Sequence, residues 1–329
     1  MLSAPDPDAL FAPLPQADHL LLAVSGGPDS MALMHLAARR QGYSQLSVAT
    51  VDHGLRPEAR MEAEQVAQWA AALGLTHHLL VWEGAKPRTA IQERARKARY
   101  GALAGCAARI GAQAIVTAHH ADDQAETILM RLGDGSGPAG LAGMRKQSEW
   151  DGTPLWRPLL DVPKAALVDY CNSIGQPFFT DPSNADDSFK RVRLRKLAAL
   201  LEGLGLGRDS LLRLGRRAAR ADDALDHAAA QQRASLRALR GDCSVSINMA
   251  GMESQPDEIA IRILAGEVRH VADGSKLLRL ERVESLWNGM KAALVADNAY
   301  VSTLGGATLR MASDGILIIK PEPQRKRGR

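Results

Sequence analysis

The sequence predicts an α/β fold: a parallel sheet covered by helices, followed by a smaller mixed α/β C-terminal domain. Three observations carry that expectation. Short, predominantly apolar runs recur at Leu20 to Val24, Leu46 to Val51, Leu79 to Trp82 and Ala114 to Thr117, the first of them unbroken. Each reads as a strand, and the first has the composition of one covered on both faces. The intervening segments, Pro57 to about Leu73 and Thr89 to Ile110, are patterned as helices. Beyond about Asp222 the character changes to Ala-rich helix up to about Leu239, then to short runs separated by Gly305-Gly306 and Asp314-Gly315 turns. The division of the chain is therefore expected near residue 217, with one domain over 1–217 and a second over 218–329.

The 329 residues, 46% of them apolar, suffice for more than one core. A net charge of +4 is modestly basic and permits an acidic partner. Cys106, Cys171 and Cys243 lie far apart without a Cys-x-x-Cys, which gives no support to a zinc, iron–sulfur or disulfide framework. Met1 to Leu10 lacks the pattern of a secretory signal, and no apolar run reaches membrane-spanning length. The expectation is a soluble cytoplasmic protein, monomer or homodimer.

The first strand runs directly into Ser25-Gly26-Gly27-Pro28-Asp29-Ser30 and then into the helical pattern of Met31 to Ala37. Strand, tight glycine loop and helix N-terminus form a phosphate cradle, with Asp29 or Ser30 expected as the cap. The loop is neither Gly-x-x-x-x-Gly-Lys-Ser/Thr nor Gly-x-Gly-x-x-Gly. It resembles the pyrophosphate loop (PP-loop) of ATP pyrophosphatases, which cut ATP between its α and β phosphates and adenylate a substrate oxygen.

The second strand ends in Asp52-His53-Gly54-Leu55-Arg56, where an open parallel sheet presents ligand groups. The fourth runs into His119-His120-Ala121-Asp122-Asp123-Gln124-Ala125-Glu126-Thr127. Asp122 and Asp123 lie four and three residues before Glu126, so a helix crowds three carboxylates, and a metal ion, an arginine or a cationic substrate must relieve their repulsion. Gly133 to Leu141 reads as a flexible loop, either one that closes over substrate or a plain linker. Lys164 to Ile174 reads as a helix ended by Gly175, and Asp181-Pro182-Ser183-Asn184 as a turn. The segment Arg191-Val192-Arg193-Leu194-Arg195, followed by Arg208, Arg213, Arg216, Arg217 and Arg220, has the density of a nucleic-acid contact surface, with a solvated helical face as the alternative, and the basic tail Arg325 to Arg329 is able to touch phosphates.

With these residues in view, the chain resembles the bacterial tRNA(Ile)-lysidine synthetases of the PP-loop superfamily. The resemblance rests on eight ordered motifs between Leu20 and about Leu201: the glycine loop, Val51 to Arg56, Ala98-Arg99-Tyr100, His119 to Thr127, Gly137 to Met144, Arg157-Pro158-Leu159-Leu160, Asp181 to Asn184 and Arg191 to Arg195. One departure is Val192, where the family usually has asparagine. The chain is also shorter than family members with a further C-terminal domain. The resemblance implies a PP-loop (adenine nucleotide alpha-hydrolase-like) domain. It implies adenylation of the wobble cytidine of a CAU-anticodon isoleucine tRNA, and displacement of AMP by the ε-amine of L-lysine. It implies ATP and Mg2+ as cofactors. Ser25, Gly26, Gly27, Pro28, Asp29, Ser30, Asp52 and His53 would hold ATP. Asp29 and Asp123 would hold the metal. Arg99, Asp123, Glu126 and Arg191 would be catalytic. Arg193, Arg195, Arg213, Arg216, Arg217 and Arg220 would contact tRNA, with the C-terminal domain checking the acceptor stem. A 2-thiocytidine-type synthetase would share the cradle but needs paired cysteines. A GMP synthetase-like amidotransferase needs an ammonia source and no basic segment. A non-catalytic nucleotide-binding module needs neither Asp123 with Glu126 nor the arginines.

Overall fold

The structure is a computed structural model that describes residues 5–12, 17–40, 45–52, 54, 58–82, 91–180, 190–236, 239–241, 244–272 and 278–323. The sequence readings at His53, Leu55 to Pro57, Asp181 to Asn184, Cys243 and the basic tail lie outside the described residues. The chain divides into two compact units, one of residues 1–133 and 143–215, the other of residues 134–142 and 216–329.

In chain order the first unit contains α1 (Pro7–Phe11), β1 (His19–Ala23), α2 (Pro28–Arg39), β2 (Gln45–Asp52), α3 (Ala59–Ala72), β3 (Thr76–Val81), α4 (Ile91–Ile110), β4 (Ala114–Thr117) and α5 (Ala121–Gly133). A single helical turn, α6 (Pro138–Leu141), stands in the segment expected to be a loop; its proline at the first position presets the helical φ. The first unit resumes with β5 (Gln147–Trp150), β6 (Thr153–Trp156), α7 (Lys164–Ser173), α8 (Lys190–Lys196), α9 (Ala198–Gly203) and the first turns of α10 (Arg208–Ser235), whose remainder belongs to the second unit, as does α6.

The first sheet has the order β3-β2-β1-β4-β6-β5, parallel except for the β5–β6 hairpin at its edge. β1 is buried because it lies between β2 and β4, and its alternating side chains feed two cores. Leu20 and Leu22 pack with Val48, Val116 and the apolar residues of α2 and α7, while Leu21 packs on the opposite face with Ala49, Ile115 and Tyr100, Leu103 and Ala107 of α4. The chain moves outward from β1 through β2 to β3, then returns to place β4 on the other side of β1. That reversal opens a crevice at the carboxyl ends of β1 and β4, where such sheets bind ligands.

The second unit adds β7 (Leu239–Gly241), β8 (Ser244–Asn248), α11 (Met249–Glu253), α12 (Asp257–Val271), α13 (Leu280–Val295), β9 (Tyr300–Leu304), β10 (Ala307–Met311) and β11 (Ile316–Pro321). Its strands form one antiparallel sheet of order β7-β8-β11-β10-β9. Val245, Ile247, Leu309, Leu317 and Ile319 bury one face of it with Ile263, Leu264, Trp287 and Met290 of α12 and α13. No helix among the described residues is long and apolar enough to cross a membrane.

Candidate active site

The glycine loop is held open by its own side chains. Gly27, not Asp29 or Ser30, is the N-cap of α2, and it offers no side-chain cap. The Ser30 hydroxyl instead donates to the Gly27 carbonyl at 3.0 Å and accepts from the Ser25 N–H at 3.1 Å. The turn is thereby closed from inside, and the first N–H groups of α2 remain available to an anion. Gly26 adopts φ +86°, and a Cβ there would lie 2.8 Å from Phe179 Cδ2. The Phe179 N–H donates to the Gly26 carbonyl at 2.9 Å, and its ring packs on Trp69. Only glycine satisfies both the left-handed backbone and that close approach. Asp52 ends β2, and its Oδ1 accepts from the Gly54 N–H at 2.8 Å. Cys171 donates its thiol to the Pro28 carbonyl, and burial followed by the charge of Asp29 raises its pKa to about 11, so it stays a thiol.

The crevice brings two carboxylates from different elements onto one imidazole. His120 is buried, with its Nε2 3.5 Å from Asp29 Oδ2 and 3.4 Å from Asp123 Oδ2. Burial opposes its protonation, but Asp29, Asp123 and Asp122 outweigh that and raise its pKa above the ordinary histidine value. Its neighbour His119 is held well below that value, first by burial and then by Arg157, Arg99, Arg96 and Arg191. Its Nδ1 lies 2.9 Å from the Thr117 hydroxyl. Two adjacent histidines of the same chemistry thus face opposite fields. Neither was among the residues picked from sequence, because which field each ring enters depends on where α5 leaves β4.

The carboxylate crowding expected on α5 is relieved by arginines. Asp122 is drawn away from the other two: its Oδ2 accepts from the Lys164 N–H at 2.8 Å, at the start of α7, and its Oδ1 lies 3.7 Å from Arg208. Asp123 Oδ1 lies 3.7 Å from Arg191 Nη1 and 3.8 Å from Arg195 Nη2. Glu126 accepts from Arg195 Nε at 2.6 Å and from its Nη2 at 3.3 Å. Arg195, expected among the RNA contacts, is engaged by this carboxylate. Arg191 Nη2 also donates to the Thr127 hydroxyl at 3.3 Å, which in turn donates to the Asp123 carbonyl at 2.7 Å. Arg99 stands apart from the carboxylates, over the ring of Tyr100 at 5.2 Å. Arg193, Arg213, Arg216, Arg217 and Arg220 are exposed, the last four along α10. Lys164, whose Nζ lies 3.8 Å from Asp29 Oδ2, is a further cation that its place at the start of an ordinary helix did not signal.

The chain is similar to known proteins. A PP-loop domain family matches residues 6–201. A protein of Methylobacterium sp. (strain 4-46) named tRNA(Ile)-lysidine synthase is 48% identical, over 95% of this chain and 91% of its own length. Its namesake in Rhodopseudomonas palustris is 46% identical over 100% of this chain and 98% of its own. Among solved structures, the U34-tRNA thiolase NcsA from Methanococcus maripaludis superposes with a TM-score of 0.55 at 14% identity, covering 64% of this chain and 77% of that one, a likeness of fold.

Proposed function

Since the chain belongs to the tRNA(Ile)-lysidine synthase family, we propose that its crevice at the ends of β1 and β4 joins L-lysine to the wobble cytidine of the CAU-anticodon isoleucine tRNA, driven by ATP. The observation that carries this reading is the meeting of Asp29, from the phosphate loop, and Asp123, from the carboxylate helix, at His120. A phosphate cradle and a site for a cationic amine thereby share one pocket. The enzyme belongs in the cytoplasm with its tRNA.

The reaction needs two steps. The C2 oxygen of the cytidine attacks the α phosphorus of ATP, the α–β bond breaks, and pyrophosphate leaves. The ε-amine of lysine then attacks C2, loses a proton and displaces AMP. In the first step the Ser25 to Ser30 loop and the N-terminus of α2 hold the polyphosphate, with Asp52 and His53 beside the nucleoside. Arg99 and Arg191 stabilise charge on the phosphate and the activated base. In the second step Asp123 and Glu126 take over the ammonium, and one of them accepts its proton. One methylene distinguishes lysine from its shorter homologue by only about 1–3 kcal/mol. Selection therefore leans on charge pairing at a fixed reach from Glu126. Lysine must displace the Arg195 guanidinium from that carboxylate, a like-for-like exchange of cations.

Magnesium fits the residues present. Asp29 Oδ1 is buried without a hydrogen-bond partner, a carboxylate oxygen held ready for a cation. Asp29 and Asp123 would hold it, and it would neutralise charge on the polyphosphate. Arg193, Arg213, Arg216, Arg217 and Arg220 contact the RNA, with the second unit reading it away from the anticodon. That division follows from energetics: discriminating one wobble base by hydrogen bonds yields only about 1–3 kcal/mol.

Omitting lysine tests the order of steps. With tRNA and ATP alone, pyrophosphate should be released once per active site and the tRNA should carry the adenylate. Lysine should then release AMP. ATP cleavage that ignores tRNA would contradict the reading.

A further inference from the structure

Around Tyr100 lies a concentration of arginine of which the two-step reaction uses only Arg99. Arg96 and Arg99 both stand over the ring of Tyr100, their Cζ atoms 4.9 and 5.2 Å from its centroid. Trp150 stacks on the same ring at 4.8 Å. Arg157, at the end of β6, is only 6% exposed; its Nη1 donates to the Arg145 carbonyl at 2.8 Å and to the Ser148 hydroxyl at 2.9 Å. Its Nε has no hydrogen-bond partner, and the fully buried Tyr100 hydroxyl lies beside the same guanidinium. Arg131 of α5 anchors the turn at Gly143, donating to its carbonyl at 2.8 Å.

Among the described residues no carboxylate forms an ion pair with Arg96, Arg99 or Arg157. Among the described residues the field of these groups is positive. Burial and the charge of Arg96 lower the pKa of Arg131, and burial with Arg96 and Arg131 lowers that of Arg157 against the opposing effect of Tyr100. A buried guanidinium with a donor left over is costly unless an anion completes it. Guanidinium groups are matched to phosphate by their planar fork.

We propose that Arg96 and Arg157, gathered around Tyr100 beside the catalytic Arg99, form an anion subsite that takes a backbone phosphate of the substrate RNA. The chemistry recognised is a phosphate oxyanion, which RNA and ATP both carry. The strand order favours RNA. β6 lies two strands from β1, about 10 Å at the usual spacing, so the subsite stands beside the triphosphate cradle. Arg96 is exposed at its mouth, where a polymer can approach. Anchoring the backbone here would hold the target base at the α phosphorus. This rests on the proposed function in taking the polyanion to be tRNA.

The test is the salt dependence of tRNA binding by the full chain, which needs no turnover. Arg96→Gln changes an exposed residue and should fold. It should weaken tRNA binding several-fold and reduce the slope of log affinity against log salt by about 0.7, with KM for ATP unchanged. Arg96→Lys, which keeps the charge, should keep the slope. An unchanged slope with a raised KM for ATP would overturn the RNA source and give the subsite to the polyphosphate. An unchanged slope with an unchanged KM would overturn the subsite. Wild-type protein that binds tRNA with the expected Arg96 effect but transfers no lysine would leave the subsite standing and defeat the enzymatic reading.

Discussion

The two units use arginine and carboxylate in opposite ways. In the second unit the sets close on themselves. Arg262 pairs with Asp222, Glu258 and Asp226, Arg233 forks onto the fully buried Glu267, and Asp257 takes both Lys291 and the Trp287 N–H. In the first unit Arg195 forks onto Glu126, but other groups stay open. Asp29 keeps a buried oxygen without a partner, Arg157 keeps a buried N–H, and His120 is shared between two carboxylates of different elements. Closed sets specify a fold; open ones await a ligand. The difference separates mutations that lower stability from those that lower activity in a protein that still folds.

The largest effect should come from the open side. Asp123→Asn should reduce lysine incorporation on the order of a hundred- to ten-thousand-fold, while tRNA binding and the thermal midpoint stay near wild type. An equal fall in the thermal midpoint would mean that Asp123 belongs with the closed sets. The converse is Arg233→Ala, which strands a buried Glu267 and should cost about 3 kcal/mol of stability without changing turnover per folded molecule. Denaturant unfolding combined with active-site titration checks both halves.

Smaller effects lie at the loop and the buried histidine. Gly26→Ala forces a side chain into a φ of +86° against Phe179 and should cost about 1–3 kcal/mol, with KM for ATP raised. A wild-type KM would mean that the loop does not cradle the polyphosphate. His119 sharpens the comparison through pH. Its folded-state pKa lies well below the ordinary 6.5, so the unfolded chain binds the proton more readily. Its contribution to stability is present above pH 6.5 and is lost as pH falls below that value. The ring should therefore remain neutral at pH 6 by NMR, while the unfolding midpoint declines from pH 7 toward pH 5. A charged ring at pH 6 would place the arginines elsewhere.

The legibility of these features from sequence follows their physics. β1 was readable because both faces are covered, which leaves an unbroken apolar run. The glycine hexapeptide was readable because the strand before it and the helix after it fix its geometry. The β5–β6 hairpin gave no such signal, since Gln147, Ser148 and Glu149 of the edge strand are exposed. α10 was expected from about Asp222 and begins at Arg208, because arginine density in its first turns reads as a surface before it reads as a helix. Crowding among Asp122, Asp123 and Glu126 was visible as local spacing. Its relief was not, because Arg195 lies 69 residues from Glu126 and reaches it only through the tertiary fold.

The central claim is tested most directly by incubating the protein with bulk tRNA, ATP, magnesium and radiolabelled lysine, then digesting the RNA to nucleosides. The account predicts label in a single cytidine derivative, dependent on ATP and confined to the isoleucine tRNA with the CAU anticodon. Pyrophosphate release that depends on tRNA but leaves the RNA unlabelled would contradict lysine as the nucleophile and with it the assignment of Asp123 and Glu126.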